Sequence, residues 1–192
     1  MSTHRDLSQK RFDTRFAIDD TFIRRWEPQY DSTEHDEDDY REIINAVSAD
    51  IARMHTISKS TFVQILDWKA PRAKGKVNWK QFDSYVRDFQ RCLQAPEERK
   101  LAILTALDGI GVAVASTVLH FAYPDRFPIM DKRTVETLFC AGYIKSKQRD
   151  SARYVPFREA IQGIAQRHIN WSLRQIDRAL FAYHKQELSS HK

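Results

Sequence analysis

The stretch Leu107-Asp108-Gly109-Ile110-Gly111-Val112-Ala113-Val114-Ala115 decides how the chain is read, because it joins two apolar-periodic segments through two closely spaced glycines. Upstream, Leu101, Leu104 and Leu107 recur at helical spacing after Pro96, with Glu97 and Glu98 near the positive end of a helix dipole. Downstream, Val112 to Tyr123 is largely apolar and stops before Pro124. A helix over about 96–107, a stop at Gly109 and a second helix over about 112–123 are therefore expected. The glycines permit positive φ and close backbone approach, Ile110 is expected to pin the turn into the core, and small Ala113, Ala115 and Ser116 let the second helix lie against the first. Such a turn exposes amides beside a helix N-terminus, and together they form an anion site able to hold a phosphate without reading sequence. A plain structural corner carries the same local pattern.

Outward from the turn, helical spacing recurs along most of the chain. Ile43, Ile44, Val47, Ile51 and Met54 form one set, Phe62, Ile65 and Leu66 a second, and Phe82, Tyr85, Val86, Phe89 and Leu93 a third. A helix starting at Asp131 follows, then two more carrying Tyr154, Phe157, Ile161 and Ile164, and Leu173, Ile176, Leu180 and Phe181. No strand alternation and no internal repeat appear, so the fold class is all-α. Residues 1–39 are expected to form an N-terminal arm, partly docked by Phe12, Phe16, Phe22 and Trp26, and an acidic linker whose Asp36-x-x-Asp39 can cap a helix near Asp38; residues 40–192 form the helical domain. The main irregular stretch is Lys69 to Lys76.

Composition narrows the partner. The net charge is +5, but residues 31–39 hold six acidic residues and no Lys or Arg, while residues 40–192 hold 25 Lys and Arg against 15 Asp and Glu. That asymmetry suits a polyanion, with nucleic acid ahead of an anionic membrane. No apolar run approaches membrane-spanning length, and the N-terminus lacks a secretory pattern, so an intracellular, cytoplasmic location is expected. Cys92 and Cys140 are too few for a disulfide framework, a cysteine-ligated zinc or an iron–sulfur cluster. The seven histidines lack helical metal-site spacing, so no catalytic metal is expected.

The hairpin stretch, followed by Phe127-Pro128-Ile129-Met130-Asp131, resembles the helix-hairpin-helix DNA glycosylase superfamily, with its Leu-Pro-Gly-Val-Gly hairpin, a helix, and an apolar stretch ending in a catalytic Asp. In the endonuclease III branch a lyase lysine lies two residues past the second glycine and the Asp eighteen further on; Ala113 and Asp131 hold those places. The resemblance implies a helical bundle of the glycosylase type with a base pocket between two subdomains, and duplex DNA carrying a damaged or modified base as the partner of a monomer. It also implies Na+ or K+ held by the carbonyls of Leu107, Gly109 and Val112. Ala113 cannot form a Schiff base, so excision without the lyase step is expected; of the other amines, Lys132 on a helix from Asp131 points about 100° away from its neighbour, and Lys69 is less easily excluded because its loop can approach the pocket. Asp108 stands where the pattern has Pro and adds a negative charge near the expected phosphate path.

Asp131 is the candidate catalytic group, since a carboxylate beside the anomeric carbon stabilises an oxocarbenium-like sugar and orients water. It can equally cap the helix from Lys132, and one residue can do both. Gly109, Ile110, Gly111, Val112 and Ala113 are the expected phosphate clamp, Lys69, Arg72, Lys74 and Lys76 a second backbone contact, and Arg126, Lys132 and Arg133 flank Asp131. Trp68, Trp79 and Tyr123 are candidates for the pocket of a flipped base, against ordinary core packing. Three rivals stay open: duplex binding without catalysis, recognition of a modified base by a defence or regulatory protein, and a helical adaptor for an acidic protein.

Overall fold

The computed structural model describes residues 16–30 and 36–189, and every regular element among them is helical. The α-helices are α1 (Asp20–Trp26), α2 (Asp36–Met54), α3 (Lys59–Lys69), α4 (Phe82–Gln94), α5 (Glu97–Thr105), α6 (Val112–Ala122), α7 (Lys132–Cys140), α8 (Ser151–Arg167) and α9 (Leu173–Tyr183), with a final π-turn at His184–Leu188. Most begin where a short polar side chain can accept a first-turn amide: Asp19 from Phe22, Ser58 from Thr61, Asp150 from Arg153 and Ser172 from Gln175. The all-α class is as expected. Boundaries differ by a residue or two, with α2 beginning at Asp36 and α5 ending at Thr105.

One expectation needs correction. The segment read as irregular from Lys69 is ordered: Lys69 closes α3, and Pro71–Lys76 winds into a 3-10 helix begun by proline. Trp79 holds this turn by donating its indole N–H to the Lys74 carbonyl at 2.8 Å. Phe16, Phe22 and Trp26 dock against the helical domain. Ile18, Phe22, Ile23 and Trp26 are buried in the same core as the later helices, and α1 lies along α9 with Phe16, Phe22 and Trp26 ringing Tyr183. Phe12 and residues 31–35 of the acidic run lie outside the described residues.

The helices gather around two centres. α6 packs on α2, α3 and α5, while α9 packs on α1, α7 and α8. Each centre follows from its sequence: α6 is buried from Val114 to Phe121, and α9 presents Leu173, Ile176, Ala179 and Leu180 inward. The start of α7 lies where the two groups meet.

Candidate functional site at the junction of the two helix groups

The hairpin brings α5 against α6, and its two glycines do different work. Gly109 has φ +77°, and a Cβ there would stand 2.4 Å from the Lys76 carbonyl oxygen. Glycine is thus demanded both by the backbone and by the basic turn packed against it. Gly111 departs from the expectation of positive φ: it is exposed N-cap backbone at φ −83°, ψ 173°, with nothing within 4 Å of an added Cβ. Its missing side chain leaves the first turn of α6 without a side-chain cap. Ile110 is buried as expected, and the turn is closed by the Ile110 amide on the Leu107 carbonyl at 3.1 Å. Tyr85 donates its hydroxyl to the Asp108 carbonyl at 2.7 Å, leaving the Asp108 side chain exposed. Of the three carbonyls expected at a cation, Leu107 thus already accepts one hydrogen bond.

Asp131 is placed by the segment before it. The Met130 amide donates to Ser116 on α6 at 3.0 Å, and Tyr154 on α8 donates to the Pro128 carbonyl at 2.9 Å. His120 completes the clamp, with Nδ1 2.8 Å from the Phe127 carbonyl and Nε2 2.8 Å from the Tyr40 hydroxyl. Full burial lowers the His120 pKa to about 4, so the ring is neutral, donating from Nδ1 and accepting from Tyr40 at Nε2. The small residue at Ser116 is therefore a hydrogen-bonding partner as well as a means of close approach.

The two carboxylate oxygens of Asp131 are divided between two tasks. Oδ1 accepts the Arg133 amide at 2.7 Å, and Thr134 accepts the Asp131 amide at 3.3 Å, completing a capping box at the start of α7. Oδ2 accepts the Lys69 ammonium at 3.2 Å, across from the end of α3. Burial pushes the Asp131 pKa up, but the Lys69 charge and the Arg133 amide outweigh it and hold the carboxyl below its ordinary value. The side chains remain 17% and 22% exposed, so the pair is accessible from outside.

Behind this pair lies a cluster that sequence reading missed. Arg174 on α9 sits 5.1, 4.9 and 5.2 Å from the ring centres of Tyr30, Tyr40 and Trp68, and pairs with Asp177 at 3.1 Å. Burial raises the Asp177 pKa to about 6 against the opposing Arg174 and Lys69 charges, with Asp131 adding to the rise. Among the described residues, Asp177 Oδ1 and the Trp68 indole N–H are buried without a hydrogen-bond partner. A cavity of about 330 Å³ opens beside the cluster, lined by Tyr40, Pro124, Asp125, Arg174 and Gln175. The available signal was periodicity: Asp177 falls on the apolar face set by Leu173, Ile176 and Leu180.

The remaining candidates separate. Trp68 adjoins Lys69 and packs on Tyr40 and Phe121, inside the cluster. Trp79 instead braces the basic turn, stacked on Phe82. Tyr123 belongs to a different network, donating to the Leu93 carbonyl at 3.2 Å beside buried Lys100, which donates to the Cys92 and Leu93 carbonyls that end α4. Lys74 pairs with Asp67 and Arg126 with Glu97, Lys132 lies 4.0 Å from Glu136, and Arg133 stacks 4.5 Å over Phe181. Arg72 and Lys76 are exposed beside the hairpin. Cys92 is buried, its thiol pushed up to about 12 by burial, and neither cysteine is disulfide-bonded. Among the described residues no cluster of three or more His, Cys, Asp or Glu side chains could hold a metal, and no helix is long and apolar enough to cross a membrane. Comparison with family models, with curated proteins and with solved structures finds no match.

Proposed function

We propose that the chain binds duplex DNA and cleaves the N-glycosidic bond of a damaged or modified base, on a helical bundle of the glycosylase type. The observation that carries this reading is the placement of Asp131: an ionised, accessible carboxylate at the junction of two helix groups, tied through Ser116 and Met130 to the helix whose uncapped N-terminus follows the hairpin. Phosphate at Gly111–Ala113 and along the basic turn positions the strand. A nucleotide extruded towards the junction brings its anomeric carbon near Asp131, where a fixed negative charge stabilises the developing oxocarbenium ion. A carboxylate held ionised suits that electrostatic role better than general-base catalysis, which wants a raised pKa. Behind the junction Trp68 packs against Tyr40 and Arg174, and its buried N–H has no hydrogen-bond partner.

The second reading is duplex binding without catalysis. It is favoured by the capping box, which gives Asp131 a complete structural role. Excision assays on a panel of duplexes with damaged and modified bases separate the two: the first reading expects an alkali-labile site at one class of base, the second expects binding with no excision.

A further inference from the structure

The stretch Lys145-Ser146-Lys147-Gln148-Arg149, between α7 and α8, carries three cations before its first acid, Asp150, whose carboxylate caps α8 on the Arg153 amide at 3.0 Å. The loop is held at its base. Gly142 turns at φ +81°, the Tyr143 amide closes on the Leu138 carbonyl at 2.9 Å, the Tyr143 hydroxyl accepts the Ile18 amide at 3.1 Å, and Ile144 is buried. Further on, the Gln148 amide donates to Ser146 Oγ at 3.1 Å and Lys147 lies 4.9 Å over Phe139. Between this loop and α8 opens a cavity of about 720 Å³, more than twice that beside Arg174 and inside the roughly 300–1,000 Å³ range of organic-ligand pockets. Met130, Tyr143, Ile144, Pro156 and Ala160 give it an apolar surface. Lys145, Ser146 and Gln148 on the loop face Arg153 and Glu159 on α8 as its polar groups. Lys145 and Arg153 are exposed, and among the described residues neither is paired with a carboxylate, unlike Lys69, Lys74, Arg126 and Arg158.

We propose that this cavity binds a nucleotide: a phosphate ester on a flat, partly apolar body that carries hydrogen-bond donors. The phosphate meets Lys145 and Arg153 through charge-assisted hydrogen bonds. The ring lies against Met130, Ile144 and Pro156, where apolar contact needs no sequence-specific partner. Glu159 accepts from a sugar hydroxyl or an exocyclic amine, and the Gln148 side chain offers both a donor and an acceptor along a ring edge. An inorganic anion would leave the apolar surface uncovered, and an acyl chain with an acidic head would use neither Glu159 nor Gln148. The nucleotide is either free in solution or one unit of a DNA strand. A strand has a route to the site, since Ser151 at the start of α8 donates to Thr105 at 3.4 Å, at the end of α5 that leads into the hairpin. Met130 is both a wall of the cavity and the residue before Asp131, so an occupant adjoins the segment that places that carboxylate. The site does not depend on base excision, and its test needs none.

Isothermal titration of the full chain with a panel of deoxynucleoside monophosphates tests the free source, with inorganic phosphate and the matching nucleosides as controls. A short single-stranded oligonucleotide tests the strand source. At least one probe is expected to bind with a Kd below about 1 mM, and a bound mononucleotide should be held about tenfold or more tighter than phosphate or its own nucleoside. Two variants locate the binding. Lys145→Gln with Arg153→Gln removes the cations from exposed positions, and Ala160→Trp fills the cavity at unchanged charge; each should weaken binding by about tenfold or more. Mononucleotide binding lost in both variants assigns a free nucleotide, whereas oligonucleotide binding weakened in both, without mononucleotide binding, assigns a strand. If Ala160→Trp does not fold, the double variant and the two controls decide. No binding of any probe, phosphate held as tightly as every nucleotide, or unchanged affinity in either folded variant overturns the proposal.

Discussion

The hairpin opens α6, the junction at Asp131 is tied to the middle of that helix through Ser116 and His120, and the two are held by opposite kinds of interaction. The hairpin is apolar and backbone-built: buried Ile110, a close approach of Gly109 to the Lys76 carbonyl, and an exposed Gly111. The junction is made of buried or half-buried charges: Lys69 and Arg174 act on the carboxyls of Asp131 and Asp177, with neutral His120 behind them. A binding turn of the first kind is fixed by shape and is insensitive to pH. A reactive centre of the second kind is set by electrostatics and responds both to pH and to charge-preserving substitution.

The largest effect that would sharpen this contrast lies at the hairpin's structural glycine. Gly109→Ala places a methyl group 2.4 Å from backbone oxygen at positive φ, so we expect a loss of about 3 kcal/mol or more in chemical denaturation, with the basic turn displaced. Stability within about 1 kcal/mol of wild type would show that hairpin and turn do not interlock.

The junction should reveal itself through pH. The folded His120 pKa of about 4 lies below its unfolded value of 6.5, so its contribution is present above pH 6.5 and is lost as pH falls through 4. Asp177 acts in the other direction: its folded pKa of about 6 exceeds 3.8, so its contribution is present below pH 3.8 and is lost as pH rises through 6. The two oppose each other, which flattens the wild-type profile. His120→Gln removes one side, and between pH 7 and 4 its stability should rise relative to wild type by on the order of 3 kcal/mol. A constant difference across that range would mean that the buried ring does not titrate as described.

Smaller effects belong to the binding surface. Gly111→Ala meets no neighbour and needs no unusual φ, so the fold should be unchanged or slightly more stable, while duplex affinity falls by about tenfold if a phosphate approaches that backbone. Unchanged affinity in a folded variant would remove the hairpin as the anchor. Replacing Arg72 or Lys76 should weaken binding to all sequences alike and reduce the slope of log affinity against log salt by about one each. An unchanged slope would assign the contact elsewhere.

The hairpin was legible because its information is local: two glycines, one apolar pin and helices on either side specify the turn from a dozen residues. Asp131 was legible for the same reason, as a polar residue after an apolar stretch and before a helix. Even there, local pattern assigned both glycines the same conformation, whereas only Gly109 has positive φ. The junction was not legible because its members lie 62 residues apart in the case of Lys69 and Asp131, on helices whose mutual placement no local rule provides. Lys69 read as a phosphate contact in a basic stretch and as an amine whose loop could approach the pocket, but nothing local showed that it closes α3 and pairs with Asp131. Arg174 and Asp177 left a weaker trace, two charges three residues apart on a helix with an apolar face, which signals burial but not what they surround.

The most direct test of the account is single-turnover excision by wild type and Asp131→Asn, measured on the same duplex panel with thermal unfolding of both proteins. Asn can still cap α7, so stability and duplex affinity should change little, while excision of the recognised base falls by about 100- to 1,000-fold or more. Near-wild-type excision by a folded Asp131→Asn protein, or binding without excision of any base by wild type, would contradict the central claim.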